Sequence, residues 1–454
     1  MTSVVHPPRR QGLSRTAVVW CVALGTFTVP IAFGRLRYGF DAAYGYSLTM
    51  WVGLVDVMLF LAMLLGGRTT ARRIRNRTSS PFVDAGVLLF VALTISTLIH
   101  PIDRGVGILV RLAGSIVVSD WFASADRQLL ATLGKIVAAL GLFQWVLSFV
   151  QLGLNGPAGL WFLGERATPV FAFGNAVGAA GTFFHCYLLA GFVAVAMGAT
   201  NSLALRGILS KRLALCLSVA GTSSAFFAYS RVSVISSVLV AGAMTMVALA
   251  QRESRRFAAT TVAVMALTAA LSLAMTRSGW TTKAEYVTKF GATTGRSELL
   301  RQNFDAFLRH PWIGVGTGRY TMSLLDEGRN LGVTPRPPHM IPMVALNEAG
   351  LLSVPSLLAH VGAIGLLLWR RQWAMVVAVA TLISPFLLEQ FMWNTPEGMM
   401  MVAIGFGVAG VGASWRKKPT ELHDDHIPMG DAMADPEVAL QDRVRSPHQE
   451  AFIS

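Results

Sequence analysis

The chain has 454 residues, 53% hydrophobic and only 14% charged, with a mean hydropathy of +0.54. Soluble domains carry roughly 25% charged residues, so this composition excludes a large soluble core and indicates a polytopic membrane protein. The formal net charge of +14 does not indicate nucleic-acid binding, because the basic residues sit in short clusters between apolar runs, the pattern that encodes membrane topology.

Twelve apolar segments follow in chain order: 16–33, 49–66, 82–99, 105–119, 129–151, 178–197, 213–230, 232–250, 257–275, 343–368, 373–391 and 398–414. Most approach the ~20 residues a helix needs to span a bilayer. The expected fold is therefore all-α and polytopic, with about 12 transmembrane helices over 16–414. The basic stretch 1–15 lacks a small-residue cleavage site and reads as a cytoplasmic tail ahead of a retained first helix. The fourth segment is short and carries Arg111. Asp56, Arg111, Lys135 and Glu389 lie within or near spans, where they serve either as structural ion pairs or, for Arg111, as a cation for a lipid diphosphate. Cys21, Cys186 and Cys216 lie far apart in apolar runs and form neither a disulfide framework nor a metal site.

Threading the segments alternately collects the clusters at 68–77, 206–212, 252–256, 370–371 and 416–418 on one side, together with Arg9, Arg10 and Arg15. The positive-inside rule makes that side cytoplasmic and puts both termini there. The loops 34–48, 100–104, 152–177, 276–342 and 392–397 then face outward. Residues 415–454 are polar, without apolar periodicity, and read as a disordered cytoplasmic tail.

The long loop 276–342 is the polar exception in the chain. It holds nine basic residues (Arg277, Lys283, Lys289, Arg296, Arg301, Arg309, Arg319, Arg329, Arg336) and five acidic ones. That excess is either tolerated, since long loops escape the topology rule, or it forms a site for a phosphate or diphosphate. Within it, Gly295–His310 has helical periodicity, with Leu300, Phe304, Phe307 and Leu308 on one face. Thr293 or Thr294 is placed to cap this helix and Pro311 to end it. The helix is expected to lie on top of the bundle, with Arg296 in its first turn beside the positive helix end. Next comes Trp312–Arg319, which is glycine-rich but lacks the GK[ST] ending of a phosphate loop; its glycines are expected to make a tight turn over the membrane surface. His339 follows Pro337-Pro338, and its ordinary pKa near ~6.5 suits a general base. A lone histidine at a membrane interface is more often structural. Arg231 stands at the junction of the seventh and eighth segments, where it needs a partner or a water-filled cavity.

GRSELL (Gly295–Leu300), HPWIGVGTGRY (His310–Tyr320), PPHM (Pro337–Met340), NEAGLL (Asn347–Leu352) and the pair Ser230-Arg231 together resemble the O-antigen ligase/polymerase superfamily. The resemblance covers about 160–400 and implies a glycosyltransferase without metal or cofactor. Its donor is a glycan on a polyprenyl diphosphate, and its acceptor a sugar hydroxyl on a glycan or glycolipid. Carried over residue by residue, Arg231 and Arg296 look like the arginines that hold the donor diphosphate. Arg319, in the glycine-rich motif, and Arg166, in the preceding outer loop, are further substrate-binding candidates. His339 looks like the base for the acceptor hydroxyl, with Glu348 in support. The family usually has Asn after this histidine; here Met340 follows. The resemblance does not separate ligase from polymerase. Two other classes compete: a transporter or flippase for a lipid-linked glycan, which needs the arginines but no base, and a non-catalytic component of an envelope-assembly complex.

Overall fold

Fourteen α-helices form among the described residues of a computed structural model, which describes 12–25, 53–101, 103–163, 165, 172–173, 176–183, 185–290, 292–320, 323, 340–389, 393, 395–411 and 413. In chain order these are α1 (Gly12–Leu24), α2 (Leu54–Arg75), α3 (Pro81–Ile99), α4 (Asp103–Ser124), α5 (Arg127–Leu154), α6 (Cys186–Leu205), α7 (Lys211–Phe227), α8 (Arg231–Ala250), α9 (Arg255–Phe290), α10 (Ala292–Arg309), α11 (Ile341–Ala349), α12 (Val354–Trp369), α13 (Trp373–Leu388) and α14 (Pro396–Ala409). Ala172–Phe173 (β1) pairs antiparallel with Ala176–Val177 (β2), a two-residue addition to a helical protein. The tail 415–454 falls outside the described residues.

The helices start where short polar side chains can satisfy the free N–H groups of a first turn. Ser80 accepts from Val83, Asp126 from Leu129, Ser210 from Leu213, Ser230 from Ser233 and Thr395 from Gly398. Pro81 and Pro396 occupy first-turn positions, where no amide is missed. Among the described residues, eight spans are long and apolar enough to cross a membrane, the last running from Ile341 to Trp369. The apolar stretches Arg15–Leu24, Trp373–Leu388 and Pro396–Ala409 are shorter, and α7 has 17 residues. The protein is thus a multi-pass all-helical membrane protein.

Helix α6 is the hub: α5, α7, α13 and α14 pack around it, and 94% of its apolar window is buried. Helix α4 packs against α2, α3 and α14, α8 lies between α9 and α13, and α12 covers α3. Large side chains such as Phe122, Phe192, Leu59 and Leu93 fill the interior, while Leu64, Leu98, Leu249, Leu267 and Trp369 point outward. Apolar groups on the outside match a hydrocarbon solvent, so close packing and interhelical polar contacts hold the bundle. Ser384 Oγ donates to Val232 O and lies 2.7 Å from Ser236 Oγ, tying α13 to α8. Asn201 Nδ2 meets Ser218 Oγ at 2.9 Å between α6 and α7.

The bundle has two distinct ends. At the arginine-rich end, Thr70 meets Asp120, Arg15 meets Asp126, and Arg127 meets Gly207 O. The opposite end carries the α3–α4, α5–α6 and α7–α8 connections together with α10; we call it the loop end.

Three expected boundaries are corrected. Helix α6 begins at Cys186, not at 178, because Gln151 Oε1 accepts from Ala180 N and Gly181 N and Gln144 Oε1 from Thr182 N, which holds that apolar stretch in a turn. Helix α9 runs on to Phe290, since no proline interrupts 276–290, so the first part of the expected loop is helical. The tenth segment is two helices, α11 and α12, separated by a 3-10 turn at Gly350–Ser353.

Candidate functional site

At the loop end, the glycine-rich motif and NEAGLL form one unit. Val315 N donates to Asn347 O at 2.9 Å, Gly316 N to Glu348 O at 3.1 Å, and Leu351 N to Pro311 O at 2.7 Å. These bonds take up carbonyls at the C-terminus of α11 that a continuing helix would use. Gly314 (φ +74°) and Gly350 (φ +61°) face each other across the contact. A Cβ on either would collide with the opposing backbone, on Glu348–Ala349 or on Pro311–Ile313. At Gly314 and Gly350, glycine thus permits two backbones to touch. Helix α3 closes the unit from the side: Ser96 Oγ donates to Glu348 O at 2.5 Å and Thr317 Oγ1 to Leu93 O at 3.1 Å.

Glu348 is buried, and its Oε2 accepts from Trp393 Nε1 at 3.2 Å. Arg319 is half-buried beside His100, which caps the C-terminus of α3. Burial, the Arg319 charge and the nearby His310 hold the His100 pKa below the ordinary histidine value. Glu348 and Arg319 are therefore brought onto one corner, with Trp393 and His100 as neighbours that carry no local sequence signal.

Helix α10 attaches to this corner by a face other than its apolar stripe. Leu300, Phe304 and Leu308 are exposed, whereas Gln302, Asn303 and Ala306 are buried. Asn303 Oδ1 accepts from Asn347 Nδ2 at 3.0 Å, and Ala306 packs with Val315 and Tyr320. The helix begins at Ala292, two residues after α9 ends, so Thr293 and Thr294 lie inside its first turn and do not precede it. Arg296 becomes the fifth helical residue, further from the positive end than expected.

Arg231 belongs to a second corner, the α7–α8 turn. It is the first residue of α8, exposed, with Ser230 as cap. Before it, Tyr229 takes a left-handed conformation (φ +50°), with Tyr229 N donating to Phe226 O and Ser230 N to Ala225 O. Buried Lys283, from α9, donates to the Tyr229 carbonyl. Its ammonium lies 5.4 Å from the ring centres of both Tyr187 and Trp280.

The remaining candidates fare differently. His339 and Arg166 lie outside the described residues, and for Arg296 only its place in α10 is described. The carboxylate of Glu165, beside Arg166 in sequence, accepts from Gln151, Ala158 N and Leu160 N and so braces the loop after α5. Arg111 pairs with Asp56, Nε to Oδ1 at 2.5 Å, a buried ion pair joining α4 to α2. Lys135 is exposed.

Fold and site together define a class: a multi-pass helical membrane protein with polar corners at one end of its bundle. Residues 213–356 match the O-antigen ligase family. The match supports, over that stretch, the resemblance to the O-antigen ligase/polymerase superfamily, and with it an O-antigen ligase/polymerase-like membrane enzyme at family level. No curated protein matches the chain.

Proposed function

We propose that this protein transfers a glycan from a polyprenyl-diphosphate donor to a sugar hydroxyl of a growing polysaccharide or glycolipid, at the loop end facing outward from the cell's inner membrane. Arg231, Arg296, Arg319 and Arg166 bind the donor. His339 takes the proton of the acceptor hydroxyl as its oxygen attacks the anomeric carbon. The anomeric C–O bond breaks, its electron pair leaves on the diphosphate, and the configuration inverts. Growing charge on that leaving group needs cations, which fixed guanidinium forks supply. Glu348 supports this site from behind.

The observation that carries this reading is that the family match runs from 213 to 356 and takes in both loop-end corners. Arg231 lies in one of them; Arg319 and Glu348 lie in the other.

The test is a transfer assay in nanodiscs with a fluorescent polyprenyl-diphosphate glycan, chelator throughout, with and without a lipid-acceptor extract. A product ladder from donor alone identifies a polymerase, and a single acceptor-dependent shift a ligase. His339→Ala is expected to lower transfer by about 100-fold or more while donor still binds. Donor binding without transfer under either condition would turn the assignment to a flippase or a non-catalytic assembly component.

A further inference from the structure

The loop-end part of α9 holds a charge that the proposed transfer does not use. Lys283 is only 5% exposed, one of the most expensive places for an ammonium unless its donors are engaged. Its reach ends on the carbonyl of Tyr229, with Tyr187 Oη 3.4 Å away. The flanking rings of Tyr187 and Trp280 present their negative faces to it.

Tyr229 is itself unusual. A left-handed backbone is the usual place for glycine at the end of a helix, and a bulky residue there is strained. Its ring is seated on α9 at Gly279, where a Cβ would overlap the phenol, and it packs edge-on against Trp280. Helix α9 therefore grips both the side chain and the carbonyl of this residue. Arg231 begins α8 two residues later, so the direction in which α8 leaves the turn depends on that grip.

We propose that Lys283 is a positioning residue for the donor site: by clamping the left-handed turn at Tyr229 it fixes where Arg231 presents its guanidinium. This rests on the reading of Arg231 as a donor ligand. The ammonium also adds positive charge behind the N-terminus of α8, which favours a diphosphate in front of it.

The experiment measures binding of a fluorescent polyprenyl diphosphate to the full chain in nanodiscs, with thermal unfolding of every variant. Arg231→Gln, Lys283→Met, the double variant, Lys283→Arg and Gly279→Ala are compared. Lys283→Met is expected to weaken binding about 10-fold, the scale of one charge-assisted hydrogen bond. In the double variant it adds nothing to the loss from Arg231→Gln, because it acts through that residue. Lys283→Arg restores most of the affinity. Gly279→Ala pushes on the Tyr229 ring and is expected to weaken binding without removing the cation. Full affinity in folded Lys283→Met or Gly279→Ala, or losses that simply add to Arg231→Gln, would overturn the positioning role. Should Lys283→Met not fold, Lys283→Arg and Gly279→Ala decide the matter. Unchanged binding in Arg231→Gln would instead sink the donor-site reading of Arg231.

Discussion

Two side chains at the loop-end corner behave as they do because of what surrounds them. Glu348 sits out of water, and the Trp393 indole, from the stretch between α13 and α14, gives it a hydrogen bond. Losing a donor to a buried charged group costs about 1.5–3 kcal/mol. Trp393→Phe is therefore expected to lower the unfolding temperature and cut transfer about tenfold; equal stability and activity would show that Glu348 does not depend on the indole. His100 makes a pH prediction. Its folded pKa lies below the ordinary 6.5, owing to burial and then to the Arg319 and His310 charges. The unfolded chain therefore takes up the proton more readily than the folded one. Stability contributed by neutral His100 is full above 6.5 and declines as pH falls below that value. Thermal melts of wild type should fall on acidification, and His100→Gln should flatten that fall. An unchanged slope would place the acid sensitivity elsewhere.

Helix α10 shows how an element can be legible in the sequence while the face it docks is not. Of its apolar stripe, Leu300, Phe304 and Leu308 are exposed and Phe307 is half-buried, while its polar neighbours Gln302 and Asn303 are buried. An outward apolar stripe suits an interfacial helix with lipid on one side. Asn303 is the residue that docks it, through Asn347. Asn303→Ala leaves a buried amide without that partner and is expected to cost about 1–3 kcal/mol. Phe304→Ser should leave the melting temperature in nanodiscs nearly unchanged. The reverse ranking, read by thermal unfolding of the two variants, would mean that the helix packs by its apolar stripe after all. The glycine-rich strap carries the same lesson in backbone form. Its glycines look like a turn when read along the chain, yet Gly314 is needed because Glu348 and Ala349 press on it.

At the scale of the whole molecule, charge distribution sets the orientation. The arginine-rich end should face the cytoplasm and the loop end the outside. With Cys21, Cys186 and Cys216 replaced, a cysteine at exposed Pro157 should react with an impermeant maleimide in intact spheroplasts. A cysteine at exposed Thr78 should react only after permeabilisation. Labelling of Thr78→Cys alone in intact cells would invert the topology and remove the outward site.

Much of the architecture is local and therefore readable. Apolar runs mark where helices form, because a backbone in hydrocarbon must satisfy its own hydrogen bonds. The order of the motifs from Arg231 to Leu352 led to the superfamily that the family match over 213–356 supports. What the chain by itself could not determine was where long-range contacts override local pattern. The start of α6 is decided by two glutamines of α5. The pairing of the glycine motif with NEAGLL joins segments separated by 27 residues or more that no periodicity connects. Lys283 read as one of nine basic loop residues until α9 carried it under the Tyr229 turn. The sequence left open which face of α10 is buried, because periodicity reports that a helix has two faces and not which solvent lies outside; next to a bilayer the apolar face can turn outward while a polar one docks the protein.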